Sequence, residues 1–218
     1  NSFVVDASSP MLMEVTAVTT PTNDSTPNYT FESSEAGTIS YGGSCSSQDT
    51  AASAGSNTIT LTNPSGVGTL SDATFYGDCS ITVFDSAGNA SAHLSMSGFI
   101  VDTTPPVLNW VTIASNNSDS TLANTGDIIT LYITSTEVIQ TPSVSIAGQA
   151  ATVTSSDGIT WAAAYTMTNS NTQGPVSLNI VGLMDTAGNR GEDYSSLGSV
   201  VQVVDTSAGG GTNTCSSG

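Results

Sequence analysis

The chain has 218 residues, with one Arg, no Lys and 18 Asp and Glu, for a formal charge of −17. Such a balance excludes nucleic acid and anionic lipid as partners, since both need clustered cations, and no apolar run of about 18 residues offers a membrane span. Hydrophobic residues make up 37% and fall in short alternating runs, which excludes acidic disorder for residues 1–206.

The predicted elements are strands from the start. Leu12, Val15, Ala17 and Val18 open the first, and runs at 29–31, 38–41, 58–62, 80–84 and 94–96 follow. Thr58-Ile59-Thr60-Leu61-Thr62 alternates at period two, which puts Ile59 and Leu61 on one face and the threonines on the other. The plan then repeats with runs at 107–113, 128–133, 144–146, 151–153, 159–166, 176–180 and 200–204. Clusters of Gly, Asn, Asp, Ser and Pro separate them, and no long window carries a helical stripe. This density of short strands predicts an all-β chain built as antiparallel β-sandwiches. Gly209-Gly210-Gly211 begins a segment, 208–218, that reads as a flexible tail.

Two phrases occur twice, about one hundred residues apart. Phe3-Val4-Val5-Asp6 returns as Phe99-Ile100-Val101-Asp102, and Asp85-Ser86-Ala87-Gly88-Asn89 returns as Asp185-Thr186-Ala187-Gly188-Asn189. Val203-Val204-Asp205-Thr206 echoes the first phrase again. The spacing predicts two modules, 1–102 and 103–207, cut from a series. The start at Asn1, without Met or a leader pattern, reads as a mature product or a fragment.

The junction Val101-Asp102-Thr103-Thr104-Pro105-Pro106, together with Asp-x-Ala-Gly-Asn before the last strand, resembles bacterial Ig-like repeats of giant secreted or cell-surface proteins, adhesins included. Residues 116–190 look especially like one such repeat type. The resemblance covers nearly all of the chain except the tail. It implies two tandem immunoglobulin-like sandwiches that space or polymerise an extracellular structure, with neighbouring repeats or copies of the same chain as partners. Thr104-Pro105-Pro106 would stiffen the linker. The first module departs from the pattern by its cysteine pair and by a Ser/Ala-rich stretch around 48–57.

Cys45 follows the predicted strand at 38–41 and Cys79 directly precedes the one at 80–84, neighbours in a sandwich, so the two are expected to form a disulfide in an exported protein. Cys215, in the tail, opens a following region or serves as an intermolecular link. Catalysis has little to use. His93 is the only histidine and reads as a surface or half-buried strand residue, and no Gly-x-Ser-x-Gly elbow exists. Glu192-Asp193 reads as a solvated loop pair. Trp110 and Trp161 lie in apolar strand runs, which favours core packing over a sugar-binding platform. The chain is therefore expected not to be an enzyme.

The acidic residues are informative by position. In an immunoglobulin-type sandwich the entry to the first strand and the loops after the second and sixth strands (B and F) share one pole. Those places hold Asp102, Glu137 and Asp185 with Asn189 in the second module, and Asp6, Glu35 and Asp85 with Asn89 in the first. Converging carboxylates without a Lys or Arg repel unless a cation sits among them, and an all-oxygen set suits Ca²⁺. The alternative is that Asp-x-Ala-Gly-Asn only sets a tight turn; both can hold. Phe3-Val4-Val5, an orphaned copy of a final strand, is expected either to pair with another copy by strand addition or to be what is left where an upstream repeat was cleaved or left out. Competing functional readings are a ligand-binding adhesin tip that grips a glycan or protein receptor, an ice-binding face at 58–62, and a phage or virion surface domain.

Overall fold

The computed structural model describes residues 5–197 and 203–205, and among them no helix forms. The chain divides into two units: residues 1–104 with 187–189, and residues 105–186 with 190–218.

In the first unit the strands are β1 (Leu12–Thr16), β2 (Asn28–Ser33), β3 (Gly37–Gly42), β4 (Ala51–Ala52), β5 (Gly55–Thr60), β6 (Thr74–Tyr76), β7 (Ser80–Phe84), β8 (Leu94–Ser95) and β9 (Phe99–Val101). One antiparallel sheet runs β1-β2-β5, a second runs β4-β3-β7-β8, and β6 pairs with β9. Alternation decides which side chains turn inward. Tyr29, Phe31 and Ile59 from the first sheet share one buried core with Ile39, Ile81 and Val83 from the second. Each fully buried aliphatic or aromatic residue of this kind contributes roughly 1.5–3 kcal/mol. Ile59 and Leu61 are buried while Thr58 and Thr60 face solvent, as their period predicts, but Thr62, expected on the outer face, is buried where it bridges to Ser46.

The cysteines join two neighbouring strands at one end of their ladder. β3 pairs with β7 through Gly42 and Ser80, and Cys45 lies just beyond that pair while Cys79 just precedes it. They form a disulfide with Cα atoms 5.3 Å apart, and both are buried in the core.

The second unit contains β10 (Leu108–Ser115), β11 (Leu122–Asn124), β12 (Ile128–Ser135), β13 (Ser143–Ile146), β14 (Gln149–Ala150), β15 (Thr152–Ser155), β16 (Thr160–Thr166), β17 (Gly174–Pro175), β18 (Ser177–Val181), β19 (Tyr194–Leu197) and β20 (Val203–Asp205). One antiparallel sheet runs β10-β12-β16-β15 and another β14-β13-β18-β19, with β11-β20-β17 as a small third. Leu131, Ile133 and Trp161 from one face and Val144, Ile146 and Ile180 from the other fill a second core.

One core expectation fails. Trp161 is buried, but Trp110 is 65% exposed. The cause is a bulge. Leu108 opposes Ser135 and Trp110 opposes Thr134, so Asn109 is an extra residue in the ladder. Without it, strict alternation from inward-packed Leu108 would carry Trp110 into the core. With it, Val111 and Ile113 pack inward and Trp110 turns out.

The expected strand at 200–204 lies only partly within the described residues. Phe3 and Val4, the 208–218 tail and Cys215 lie outside them. Val5 is described; it is exposed and belongs to no strand.

Candidate functional site

Three loops meet at one end of the first unit. Glu35 follows β2, Asp85 follows β7, and Asp6 lies on the approach to β1. One carboxylate oxygen from each of Asp6, Glu35 and Asp85 lies within 4.8 Å of the others. Asp6 is exposed, Glu35 half-buried and Asp85 buried.

Each loop is shaped by a local bond that its sequence dictates. After β2 the Ser33-Ser34-Glu35 segment divides the work. Buried Ser33 donates its hydroxyl to the Glu35 carbonyl at 2.6 Å. Ser34 clamps the approach to β1: Met11 N–H donates to Ser34 Oγ at 2.9 Å, and Ser34 N–H to the Met11 carbonyl at 2.9 Å. Glu35 is left to point into the cluster. After β7, Asp85 Oδ1 accepts the N–H groups of Ala87 and Asn89, each at 2.8 Å. Gly88 takes φ +90°, which closes the turn without a Cβ clash. The Asn89 amide then spans two loops, donating to Asp85 Oδ2 at 2.8 Å and to the Asp6 carbonyl at 3.2 Å.

These donors set the charge of the site. The Asn89 side-chain amide, reinforced by the N–H groups of Asn89, Ala87 and Gly88 against an opposing desolvation, holds the Asp85 carboxyl below its ordinary range. Asp85 is therefore an anion at neutral pH. Its hydrogen bonds show that the turn reading of Asp-x-Ala-Gly-Asn holds here. The same carboxylate also lies within 4.8 Å of an oxygen of Asp6 and of Glu35.

The donor set fits a hard cation. Two ligands opposed across Ca²⁺ at about 2.4 Å each stand about 4.8 Å apart, so oxygens no farther apart than this can share one ion. Mg²⁺, which demands shorter bonds and near-ideal octahedral order, fits a three-loop set less well.

The second unit repeats the clamp. Ser135 is buried and donates to the Glu137 carbonyl at 2.5 Å. Val107 N–H donates to Thr136 Oγ1 at 3.0 Å, and Thr136 N–H to the Val107 carbonyl at 2.8 Å. Carboxylate oxygens of Glu137 and Asp185 lie within 4.8 Å of each other. Asp185 is fully buried, and its backbone carbonyl accepts the Gln140 side-chain amide at 2.9 Å. Gly188 takes φ +97°, matching Gly88. Asp102, in the first unit, directly follows β9 and is half-buried; its Oδ1 accepts Thr104 N–H at 3.2 Å. Asn189 donates its amide to the Asp102 carbonyl at 2.7 Å, the bond that Asn89 makes to Asp6.

The remaining sequence candidates are placed plainly. His93 is exposed, with Nδ1 3.1 Å from Thr82 Oγ1. Glu192 and Asp193 are exposed, and Asp193 accepts Gly182 N–H at 2.9 Å. Sequence reasoning passed over Ser33 and Ser135. Their signal was a hydroxyl residue two places before each cluster Glu, present in both modules.

No protein-family model matches this chain, and no curated protein matches it.

Proposed function

We propose that the chain is a non-enzymatic extracellular structural segment, made of tandem immunoglobulin-like modules that act as stalk, spacer or filament subunit and carry Ca²⁺ at their carboxylate clusters. The observation that carries this reading is the recurrence of one loop design in both modules: a buried Ser that fixes a Glu loop, a hydroxyl that clamps the first strand, and an acidic Asp-x-Ala-Gly-Asn turn. A repeated architectural end, rather than one unique cleft, is what a serial spacer needs.

Strand order supports the immunoglobulin-type reading. The second unit's sheets, β10-β12-β16-β15 and β14-β13-β18-β19, follow the A-B-E-D and C-F-G orders of that sandwich with one added edge strand. The buried disulfide favours an oxidising compartment, and hence an exported protein. In the first module the ligands are Asp6, Glu35 and Asp85. By equivalence of the repeated phrases, Glu137 and Asp185 are the second unit's ligands, with backbone carbonyls completing the shell.

The test is thermal unfolding in Ca²⁺ and in chelator. An ion that binds only the folded modules stabilises them by about 2.7 kcal/mol at one hundred times its dissociation constant. A rise in midpoint with Ca²⁺ that Asp85→Asn and Asp185→Asn reduce supports the proposal. Superimposable melts in Ca²⁺ and chelator would remove calcium from it.

A further inference from the structure

The four strands β10, β12, β15 and β16 contain no charged residue, although the chain carries a formal charge of −17. Their outward positions hold only Thr, Ala, Ile, Tyr and Trp besides the bulged Asn109. Trp110 and Tyr132 stand out, 65% and 49% exposed. Trp110 opposes Thr134, and Tyr132 is two residues along the same strand. The two rings are therefore diagonal neighbours on one face, a spacing of about 7–8 Å between backbones. Thr112 and Thr160 lie beside them on the same face, at the partner positions of Tyr132 and Thr134.

We propose that this face binds a neutral polysaccharide, with sugar rings stacked on Trp110 and Tyr132 and their hydroxyls met by the flanking threonines. Two observations choose this occupant. The first is the bulge at Asn109. It turns outward a Trp that regular alternation would bury, and bulges re-aim side chains at the edges of working surfaces. Leaving an indole in water forfeits its burial, which a stacked partner restores. The second is charge. An acidic glycan meets repulsion from the rest of the chain, and a basic partner has more to gain at the carboxylate clusters than on an uncharged face. A second copy would bring −17 of its own. A neutral chain of sugar rings, apolar on its C–H faces and hydroxylated at its rim, matches aromatic rings set among threonines.

The experiment uses the whole chain, with cellohexaose and mannohexaose as neutral probes and a hexagalacturonate as the acidic one. Binding is read by calorimetry and tryptophan fluorescence, and self-association by sedimentation. Saturable binding of a neutral probe is expected, weakened about tenfold by Trp110→Ala and less by Tyr132→Ala. Both variants should keep the parent thermal transition, because neither ring is in the core. The proposal is overturned if neither neutral probe binds with a dissociation constant below about 1 mM. It is also overturned if the acidic probe binds more tightly, or if both variants bind as the parent does. Self-association abolished by Trp110→Ala, without sugar binding, would assign the face to a second copy instead.

Discussion

Opening the Cys45–Cys79 bridge should destabilise the first unit alone, by an amount that loop length sets. The bridge spans 34 residues, and the chain-entropy relation for a loop of that size gives about 3.8 kcal/mol at 25 °C. For a unit of about 100 residues, each kcal/mol moves the midpoint by about 4–8 °C, so the fall should be about 15–30 °C. Reduction with dithiothreitol is the cleaner perturbation, because both sulfurs stay in the core where the cysteines are buried. The Cys45→Ala/Cys79→Ala pair adds a packing loss on top. The two units can be read separately. Both tryptophans, Trp110 and Trp161, belong to the second unit, and the first has none. Far-UV circular dichroism should show the early transition on reduction, while tryptophan fluorescence keeps the parent midpoint. A loss below about 1 kcal/mol, or an equal shift of both signals, would refute the loop-closure argument.

Acid should weaken the first unit through Asp72 and Asp85. The Thr103 N–H, then the Thr104 and Thr103 hydroxyls, pull the Asp72 carboxyl down to about 2, and the Asn89 amide lowers Asp85. A depressed carboxyl contributes stability that is complete above the unfolded value, near 4, and is lost as pH falls towards the folded value. Midpoints measured from pH 5 to 2 should drop most between about 4 and 2, and Asp72→Asn should flatten that drop. Ser33→Ala leaves the Glu35 carbonyl without its hydroxyl donor. A cost of about 1–3 kcal/mol by denaturant titration is expected, together with weaker Ca²⁺ binding; Ser135→Ala should act likewise on the second unit.

Much of the architecture was legible because its signals are local. Thr58–Leu61 alternates, so its faces follow from spacing alone, and Cys45 and Cys79 flank runs that pair as β3 and β7. The Gly in each Asp-x-Ala-Gly-Asn announces the left-handed turn that both copies adopt. Trp110 was not legible. One inserted residue reverses the face of everything after it, and Asn109 looks like any other strand polar residue until its ladder is seen. Short strands such as β4, β6 and β17 escaped because two or three residues carry no period. The buried hydroxyls of Ser33 and Ser135 escaped for another reason. A small polar residue in the core is invisible until its partner, here a carbonyl two residues on, is placed.

Titration calorimetry of the whole chain with Ca²⁺ at physiological salt tests the central claim most directly. The account predicts binding below millimolar concentration, with part of the heat lost in Asp85→Asn and part in Asp185→Asn, since each removes one charge from one carboxylate set. Absence of binding in that range, with both variants indistinguishable from the parent, would contradict it and leave the two Asp-x-Ala-Gly-Asn segments as turns alone.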